Sequence, residues 1–218
     1  SLRADAVVCA MGGSAGPQFG TDGFGPRFAA QCGGALAPLY PCLTTLQCAK
    51  PDKRLAGIRA KAHAALYNGS TLLADYRGEV QFTDYGLSGI CIMDLTRHLT
   101  PAVKSPAVEL DLFPDVAEDA LSALFAARVP LLPGDTAADF WLGLLNAKLG
   151  RALWQAAGLP DADVHRLSAA QWQKLAHTAK HWRFDGLTPC GWKQAQVTGG
   201  GLALTELEPV SYTHLTLP

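Results

Sequence analysis

The segment AVVCAMGGSAGPQFGTDGFG, residues 6–25, gives the first indication of the fold. Its short apolar run, residues 6–10, predicts a buried strand, and six glycines follow that run directly. A helix is predicted from about Phe24 to Cys32, ended by the pair Gly33-Gly34. A strand, a glycine-rich turn and a helix together form half of an α/β unit.

A second junction of this kind lies near the other end of the sequence, at residues 196–201, QVTGGG. Glycine lets backbone N–H groups approach a phosphate closely, and a helix N-terminus adds its dipole. Neither the G-x-G-x-x-G pattern nor the Walker pattern occurs in the sequence. The two junctions indicate that the chain leaves a nucleotide-binding domain at the first and re-enters it at the second. A simple turn at Gly12 and Gly13 is the alternative.

The region from 37 to 112 is predicted to be mostly β, in a small barrel or sandwich. Apolar residues alternate with polar ones from 58 to 67, as in a strand with one face on a core. Asn68-Gly69 then predicts a tight hairpin turn, because both central residues of such a turn need positive φ. We expect the return strand over 70–76 and another turn at Arg77-Gly78.

The region from 113 to 183 has helical periodicity and readable caps. Asp115 with Glu118, and Ser168 with Gln171, each predict a capping box at the start of a helix. Between them, six apolar residues share one face at helical spacing, and Gly158 is placed to end that helix. These residues are Trp141, Leu145, Leu149, Ala152, Leu153 and Ala156. A further short helix is expected over 90–95.

Composition excludes several classes of function. The 18 Lys and Arg residues balance 19 Asp and Glu residues, giving a net charge of −1 with no basic stripe for nucleic acid or anionic lipid. No apolar run approaches the length of a membrane span. The six cysteines contain no C-x-x-C pair, which predicts no zinc ribbon. We expect them to be reduced thiols of a cytoplasmic protein, with disulfides as the alternative.

Two further motifs are candidates for chemistry. Gly86-Leu87-Ser88-Gly89 resembles a hydrolase nucleophile elbow, but Ile90 stands where the elbow requires glycine, so a tight turn is the preferred interpretation. His177 and His181 are spaced to face one metal ion from a helix. The glutamate of a metalloprotease helix is missing between them, and we expect two solvated surface histidines and no metal site.

Four segments carry a resemblance to a known family. They are residues 10–25, GEVQFTDYGLSG at 78–89, AQVTGGG at 195–201 and ELEP at 206–209. In this order and separation, from about residue 4 to 209, the sequence resembles the BaiN/YhiN-type flavoproteins. These are also called the aminoacetone oxidase-like family of NAD(P)/FAD-dependent oxidoreductases. Ser14 and Ile90 depart from the family pattern, which commonly has lysine and proline there.

The resemblance implies an α+β multidomain fragment. A partial Rossmann-type FAD-binding domain would be interrupted by a β-barrel domain that carries an inserted helical domain. The implied boundaries are 1–36 for the partial FAD-binding domain, 37–112 and 184–198 for the β-barrel domain, 113–183 for the helical insert and 199–209 for the re-entry. Residues 210–218 read like translated adapter sequence and are expected to be a non-native tail.

The resemblance also implies the cofactor and its contacts. FAD would lie against Gly12, Gly13, Thr198, Gly199 and Gly200, with NAD(P)H as the electron donor. The other FAD-binding segments of the family, including its G-x-G-x-x-G turn, would lie outside both ends of this sequence. We therefore expect the fragment alone to bind FAD poorly and to be inactive.

The function that follows from the resemblance is hydride transfer between NAD(P)H, FAD and an unsaturated or carbonyl-containing organic substrate. A small-molecule substrate is expected, with no nucleic acid and no membrane as partner. No catalytic acid or base is assigned, and Tyr85 is more simply explained by a structural role. Two alternatives stay open: a non-catalytic β-plus-helical binding module, and a serine hydrolase using Ser88.

Overall fold

The computed structural model describes residues 3–132, 134, 136–160 and 163–207. The predicted tail 210–218 lies outside the described residues. The helices are α1 (Phe24–Gln31), α2 (Ile90–Leu95), α3 (Glu118–Arg128), α4 (Ala137–Phe140), α5 (Ala147–Ala156) and α6 (Ala169–Lys180). The strands are β1 (Leu36–Cys42), β2 (Leu46–Gln47), β3 (Arg59–Asn68), β4 (Thr71–Phe82), β5 (Gly86–Ser88), β6 (Pro106–Asp111), β7 (Trp182–Asp185), β8 (Thr188–Pro189) and β9 (Val197–Leu202). This mixture of helices and two sheets confirms the α+β class.

The hairpin β3–β4 forms the centre of the larger sheet. Ala62, Ala64 and Leu66 are buried on one face of β3, as the period of two predicts. The turn lies one residue later than expected, at Gly69-Ser70, with Asn68 paired to Thr71. Gly69 supplies the positive φ that the tight turn needs (+63°).

The expected turn at Arg77-Gly78 is wrong, because β4 runs straight through it. Gly78 pairs with Ala62 of β3. A Cβ at Gly78 would lie only 3.1 Å from atoms of Ile90 and Cys91. The missing side chain therefore lets α2 pack directly onto the strand, and it does not mark a turn.

The larger sheet has seven strands in the order β7-β6-β3-β4-β5-β2-β8. Gly186 (φ +64°) turns the chain between β7 and β8, which go to opposite edges of the sheet. β7 pairs with β6, and β8 pairs with β2. No ladder joins the two edges in the described part of the chain, so the expected β-barrel is not closed by strand pairing.

The smaller sheet is a two-stranded antiparallel ribbon of β1 and β9. Helix α1 precedes it and forms as predicted. The apolar run 6–10 is not a strand, and its residues are exposed. An isolated strand leaves its backbone groups unpaired, and this run has no strand beside it among the described residues. A Rossmann-type domain at this end of the molecule therefore stays a prediction.

The helix caps were predicted correctly in one case and wrongly in another. Ser168 and Gln171 form the expected capping box at the start of α6. At α3 the N-cap is Ala117, which makes no side-chain bond. Asp115 instead accepts a hydrogen bond from Arg77, 2.8 Å away on β4. A partner distant in sequence thus replaces the local cap.

The helix expected to begin at Trp141 is interrupted. Gly143 adopts positive φ (+76°), and α5 begins only at Ala147, with Asn146 as its cap. Gly158 follows α5 in the left-handed conformation (φ +62°), as predicted. Trp141 stays in the core without belonging to that helix.

One hydrophobic core extends from the larger sheet into the helical region. Its helical part is a set of five aromatic rings with neighbouring centroids 4.9 to 6.1 Å apart: Phe125, Phe140, Trp141, Trp154 and Trp172. Such ring contacts add to the free energy gained from burial alone. None of the helices in the described ranges is long and apolar enough to cross a membrane.

A mostly buried ion pair fixes the helical region to the sheet. Lys180 at the end of α6 lies 2.6 Å from the Asp111 carboxylate at the end of β6. The same ammonium donates hydrogen bonds to the carbonyl oxygens of Phe113 and Val116, at 2.9 and 2.7 Å. All three ammonium protons therefore have acceptors.

Candidate cofactor-binding cleft

A cleft of about 1140 Å³ lies beside the ribbon, where the two glycine junctions meet. Its walls are the segment from Ala6 to Ala15, one face of α1, strand β9 and Leu207. No lining residue carries a charge. The walls thus consist mainly of apolar side chains and glycine backbone, with the uncharged polar side chains of Gln196 and Thr198.

The structure brings four of the five predicted cofactor residues into this cleft. Gly12, Gly13, Thr198 and Gly200 line it, although the two pairs come from opposite ends of the sequence. Gly199 does not line it. An added Cβ at Gly199 would lie 2.4 Å from the ring of Tyr40, so this glycine faces the other side of the ribbon.

The Thr198 hydroxyl connects the two junctions. Its Oγ1 accepts hydrogen bonds from the backbone N–H groups of Ser14 and Ala15, at 2.8 and 3.1 Å. A Cβ on Gly13 would lie 2.3 Å from that oxygen. Gly13 is therefore required by the approach of Thr198, and the two amides are occupied by protein and not free for a phosphate.

Gly12 lines the cleft, and a side chain added there would extend into open space. Its φ is +72°, and an added Cβ would meet nothing within 4 Å. Its carbonyl group lies against α1, where a Cβ on Gly25 would come within 2.3 Å of the Gly12 oxygen. Gly25 thus allows α1 to approach the loop closely, a role that only the packing shows.

Tyr40 supports the ribbon from the side opposite the cleft. Its ring covers Gly199, and its hydroxyl donates a hydrogen bond to the carbonyl of Arg97, 3.1 Å away. Burial, with a smaller contribution from Cys42, raises the pKa of Tyr40. Sequence reasoning missed Tyr40 because it lies 159 positions before the glycine it contacts.

The lining of the cleft suits the ring system of an aromatic cofactor. Glycine backbone and apolar side chains accommodate a flat ring system, and Gly12 leaves the close approach that a side chain would block. No acidic or basic side chain lines the cleft in the described part of the chain. The described lining residues therefore offer glycine backbone, apolar side chains and the uncharged polar groups of Gln196 and Thr198.

Ser88 and Tyr85 lie outside this cleft. Ser88 is a β5 residue paired with Gln81, and no hydrogen bond joins its hydroxyl to a histidine within the described ranges. The arrangement of a serine hydrolase is absent there. The Tyr85 hydroxyl reaches Thr45 Oγ1 at 3.4 Å, which agrees with a structural role.

A smaller cleft of about 530 Å³ opens at the edge of the larger sheet. Phe82, Trp182 and Phe184 form its aromatic wall, and Cys48 also lines it. Burial raises the pKa of the Cys48 thiol to about 11, so this thiol stays protonated at neutral pH. It is therefore not a nucleophile there.

The antiparallel sheet with a helical region, joined by a ribbon to an uncharged glycine-lined cleft, agrees with the β and helical inserts that the resemblance to the BaiN/YhiN-type flavoproteins implies. Comparison with known families agrees. The family described as "HI0933-like protein barrel and H2TH domain" matches residues 40–197. The chain belongs to this HI0933-like family, and the resemblance to BaiN/YhiN-type flavoproteins is confirmed.

Three curated proteins are similar to the chain. The chain is 31% identical over 211 residues to a 3-dehydro-bile acid delta(4,6)-reductase of Clostridium scindens, covering 94% of this chain and 52% of the relative. It is 27% identical over 211 residues to a ribosomal RNA dihydrouridine synthase of Escherichia coli, covering 95% and 50%. A protein of the same description from Haemophilus influenzae is 26% identical over 202 residues, covering 90% and 47%. The chain spans about half the length of the curated relatives it matches.

Proposed function

We propose that the complete protein is a flavin-dependent oxidoreductase that uses NAD(P)H and FAD to reduce an unsaturated or carbonyl-containing organic substrate. The observation that supports this most directly is the union of the two glycine junctions in one uncharged cleft. Membership of the HI0933-like family supports it independently.

In this proposal Gly12, Gly13, Thr198 and Gly200 form one wall of the FAD site. When bound, the flavin supplies the hydride transfer. Thr198 holds the loop at Ser14 and Ala15 in place, and Gly12 keeps the wall free of a side chain. Gly199 contributes indirectly, by letting Tyr40 brace the ribbon from behind.

The proposed substrate class is a small unsaturated molecule. The names of the relatives describe the reduction of a bile acid and the formation of dihydrouridine in ribosomal RNA, and in both an unsaturated ring gains hydrogen. Binding of RNA draws its affinity largely from neutralised phosphates. The near balance of 18 basic and 19 acidic residues in this chain favours a small molecule over RNA.

The test is the complete gene product, purified without added cofactor. We expect a yellow protein whose flavin absorbance bleaches with NADH or NADPH in the absence of oxygen and returns on addition of a ring enone such as an unsaturated 3-oxo bile acid. Re-oxidation by uridine-containing ribosomal RNA alone would overturn the substrate class. A colourless protein that gains no flavin on incubation with FAD would overturn the proposed function and favour the binding module.

Two matched variants of the complete protein test the site itself. Gly13→Ala places a methyl group against Thr198 and should lower the flavin content of the purified protein severalfold. Gly191→Ala is the control, because an added Cβ there meets nothing within 4 Å. Equal flavin content in both variants would contradict the assignment of this wall.

A further inference from the structure

Two histidines and a glutamate meet where α3 begins and α6 ends. Glu118 is the first residue of α3, His177 lies in the last turn of α6, and His181 directly follows that helix. Glu118 Oε1 is 3.1 Å from His177 Nδ1, and Glu118 Oε2 is 3.3 Å from His181 Nε2. The atoms that could bind a metal all lie within 4.8 Å of one another.

We propose that this His-His-Glu cluster is a binding site for Zn²⁺. Two imidazoles and one carboxylate are a ligand set that zinc uses in proteins, with bonds of about 2.0 to 2.2 Å. Ligand atoms at the corners of such a tetrahedron lie about 3.3 Å apart. The two nitrogen-to-oxygen distances, each to a different oxygen of Glu118, already have nearly this value, and all the candidate ligand atoms lie within 4.8 Å of one another.

A second carboxylate orients one of the ligands. Glu109 Oε1, on β6, lies 2.9 Å from His181 Nδ1. An Nδ1–H donated to Glu109 leaves the lone pair of His181 on Nε2, the atom that faces Glu118. In zinc sites, the histidine ligand usually donates its other ring N–H to a carboxylate or carbonyl group, which fixes the orientation of the ring. It distinguishes the cluster from two histidines that merely share a helix face.

Charge and exposure suit a surface zinc ion. Two carboxylates and two neutral imidazoles compensate the two charges of Zn²⁺. The side chains of His177, His181 and Glu118 are 64%, 44% and 39% exposed, so solvent can complete the coordination. Lys180, the nearby cation on α6, is occupied by Asp111 and two carbonyl groups and does not fill the position.

The site would be structural. None of its residues lines the cofactor cleft. A bound ion would connect the start of α3 with the end of α6, and through Glu109 with β6. It would therefore lock the helical region against the larger sheet, at the same junction that Lys180 and Asp111 stabilise.

Metal titration of the chain tests this proposal. Protein treated with a chelator and then dialysed should bind one Zn²⁺ per chain in competition with a chromophoric chelator, and its thermal midpoint should rise on Zn²⁺ addition. His177→Ala and His181→Ala should each lower the affinity at least tenfold, and Glu109→Gln about 10- to 100-fold. Bound Co²⁺ should give visible bands of nitrogen and oxygen coordination without thiolate charge transfer.

His63→Ala is the matched control. His63 is also paired with a carboxylate, that of Asp75 at 2.6 Å, but lies outside the cluster, so this variant should keep the affinity of the unmodified chain. The proposal fails if the unmodified chain binds no Zn²⁺, or if it binds Zn²⁺ no more tightly than the double variant His177→Ala/His181→Ala. A thiolate signature with Co²⁺ would also overturn it, because the ion would then sit on cysteine.

Discussion

Gly13 and Thr198 show how one missing side chain lets two distant segments meet. Gly13→Ala would place a methyl carbon 2.3 Å from Thr198 Oγ1. We expect the change to destabilise the chain by about 1 to 3 kcal/mol, as overpacking does elsewhere. Urea unfolding of the variant beside Gly191→Ala measures the difference. Equal midpoints would show that the loop yields without cost.

Two buried thiols make stability depend on alkaline pH. Burial raises the pKa of Cys48 and of Cys91 from 9.0 to about 11. The folded state therefore favours the neutral thiol, and this stabilisation is complete below pH 9 and is lost as the pH rises towards 11. The free energy of unfolding should fall across this window.

Cysteine variants test that expectation. The double variant Cys48→Ala/Cys91→Ala should show a smaller fall in stability between pH 9 and 11 than the unmodified chain. Cys9→Ala, which changes an exposed thiol, should leave the fall unchanged. The expectation is contradicted if all three proteins lose stability in parallel.

Some of the residues that line the cleft could be predicted from the sequence. Gly12, Gly13, Thr198 and Gly200 could be found because glycines in a row after an apolar segment are visible in one dimension. Two contacts could not be predicted: that of Gly199 with Tyr40 and that of Gly25 with the Gly12 carbonyl. Both depend on which segments the fold brings together.

At the scale of elements, the junction of α6 with β6 depends on one mostly buried cation. Lys180→Met would remove the ammonium donor from the Asp111 carboxylate and from two carbonyl groups, and among the described residues Asp111 would keep only its hydrogen bond from the Phe113 N–H. Removing one member of a buried ion pair costs about 3 to 5 kcal/mol. Chemical denaturation should show a loss of this size, because the side chains of Lys180 and Asp111 are only 13% and 16% exposed.

The control for that junction is the exposed pair of Arg77 and Asp115, 61% and 85% exposed. Arg77→Met should cost no more than about 1 kcal/mol, since surface ion pairs contribute little. If both variants lost the same stability, the Lys180 contacts would be no stronger than a surface pair.

Competition between local and distant partners explains which helix ends could be predicted. Ser168 and Gln171 cap α6 with bonds that span three positions, so the local sequence suffices. Asp115 and Glu118 fit the same local pattern, but Arg77, His177 and His181 compete for their carboxylates. A cap is predictable only where no tertiary partner takes the capping group.

At the scale of the whole molecule, the order of β and helical regions could be predicted from periodicity, and the α+β class from the resemblance to the family. Whether the two edges of the larger sheet pair with each other could not be predicted. Alternating residues define the faces of a sheet but say nothing about its edges. The connection through Gly186 sends β7 and β8 to opposite edges. The division of the chain into domains at the predicted boundaries stays a prediction.

The ribbon of β1 and β9 has a consequence for how such a protein can be assembled in evolution. Cys42 is the last residue of β1 before the chain enters the larger sheet. It is paired directly with Val197, the first residue of β9 after the chain leaves that sheet. Paired strand residues lie about 5 Å apart. The segment between Cys42 and Val197 can therefore be inserted into a surface loop of another domain, or deleted from one, with almost no displacement of the backbone of that domain.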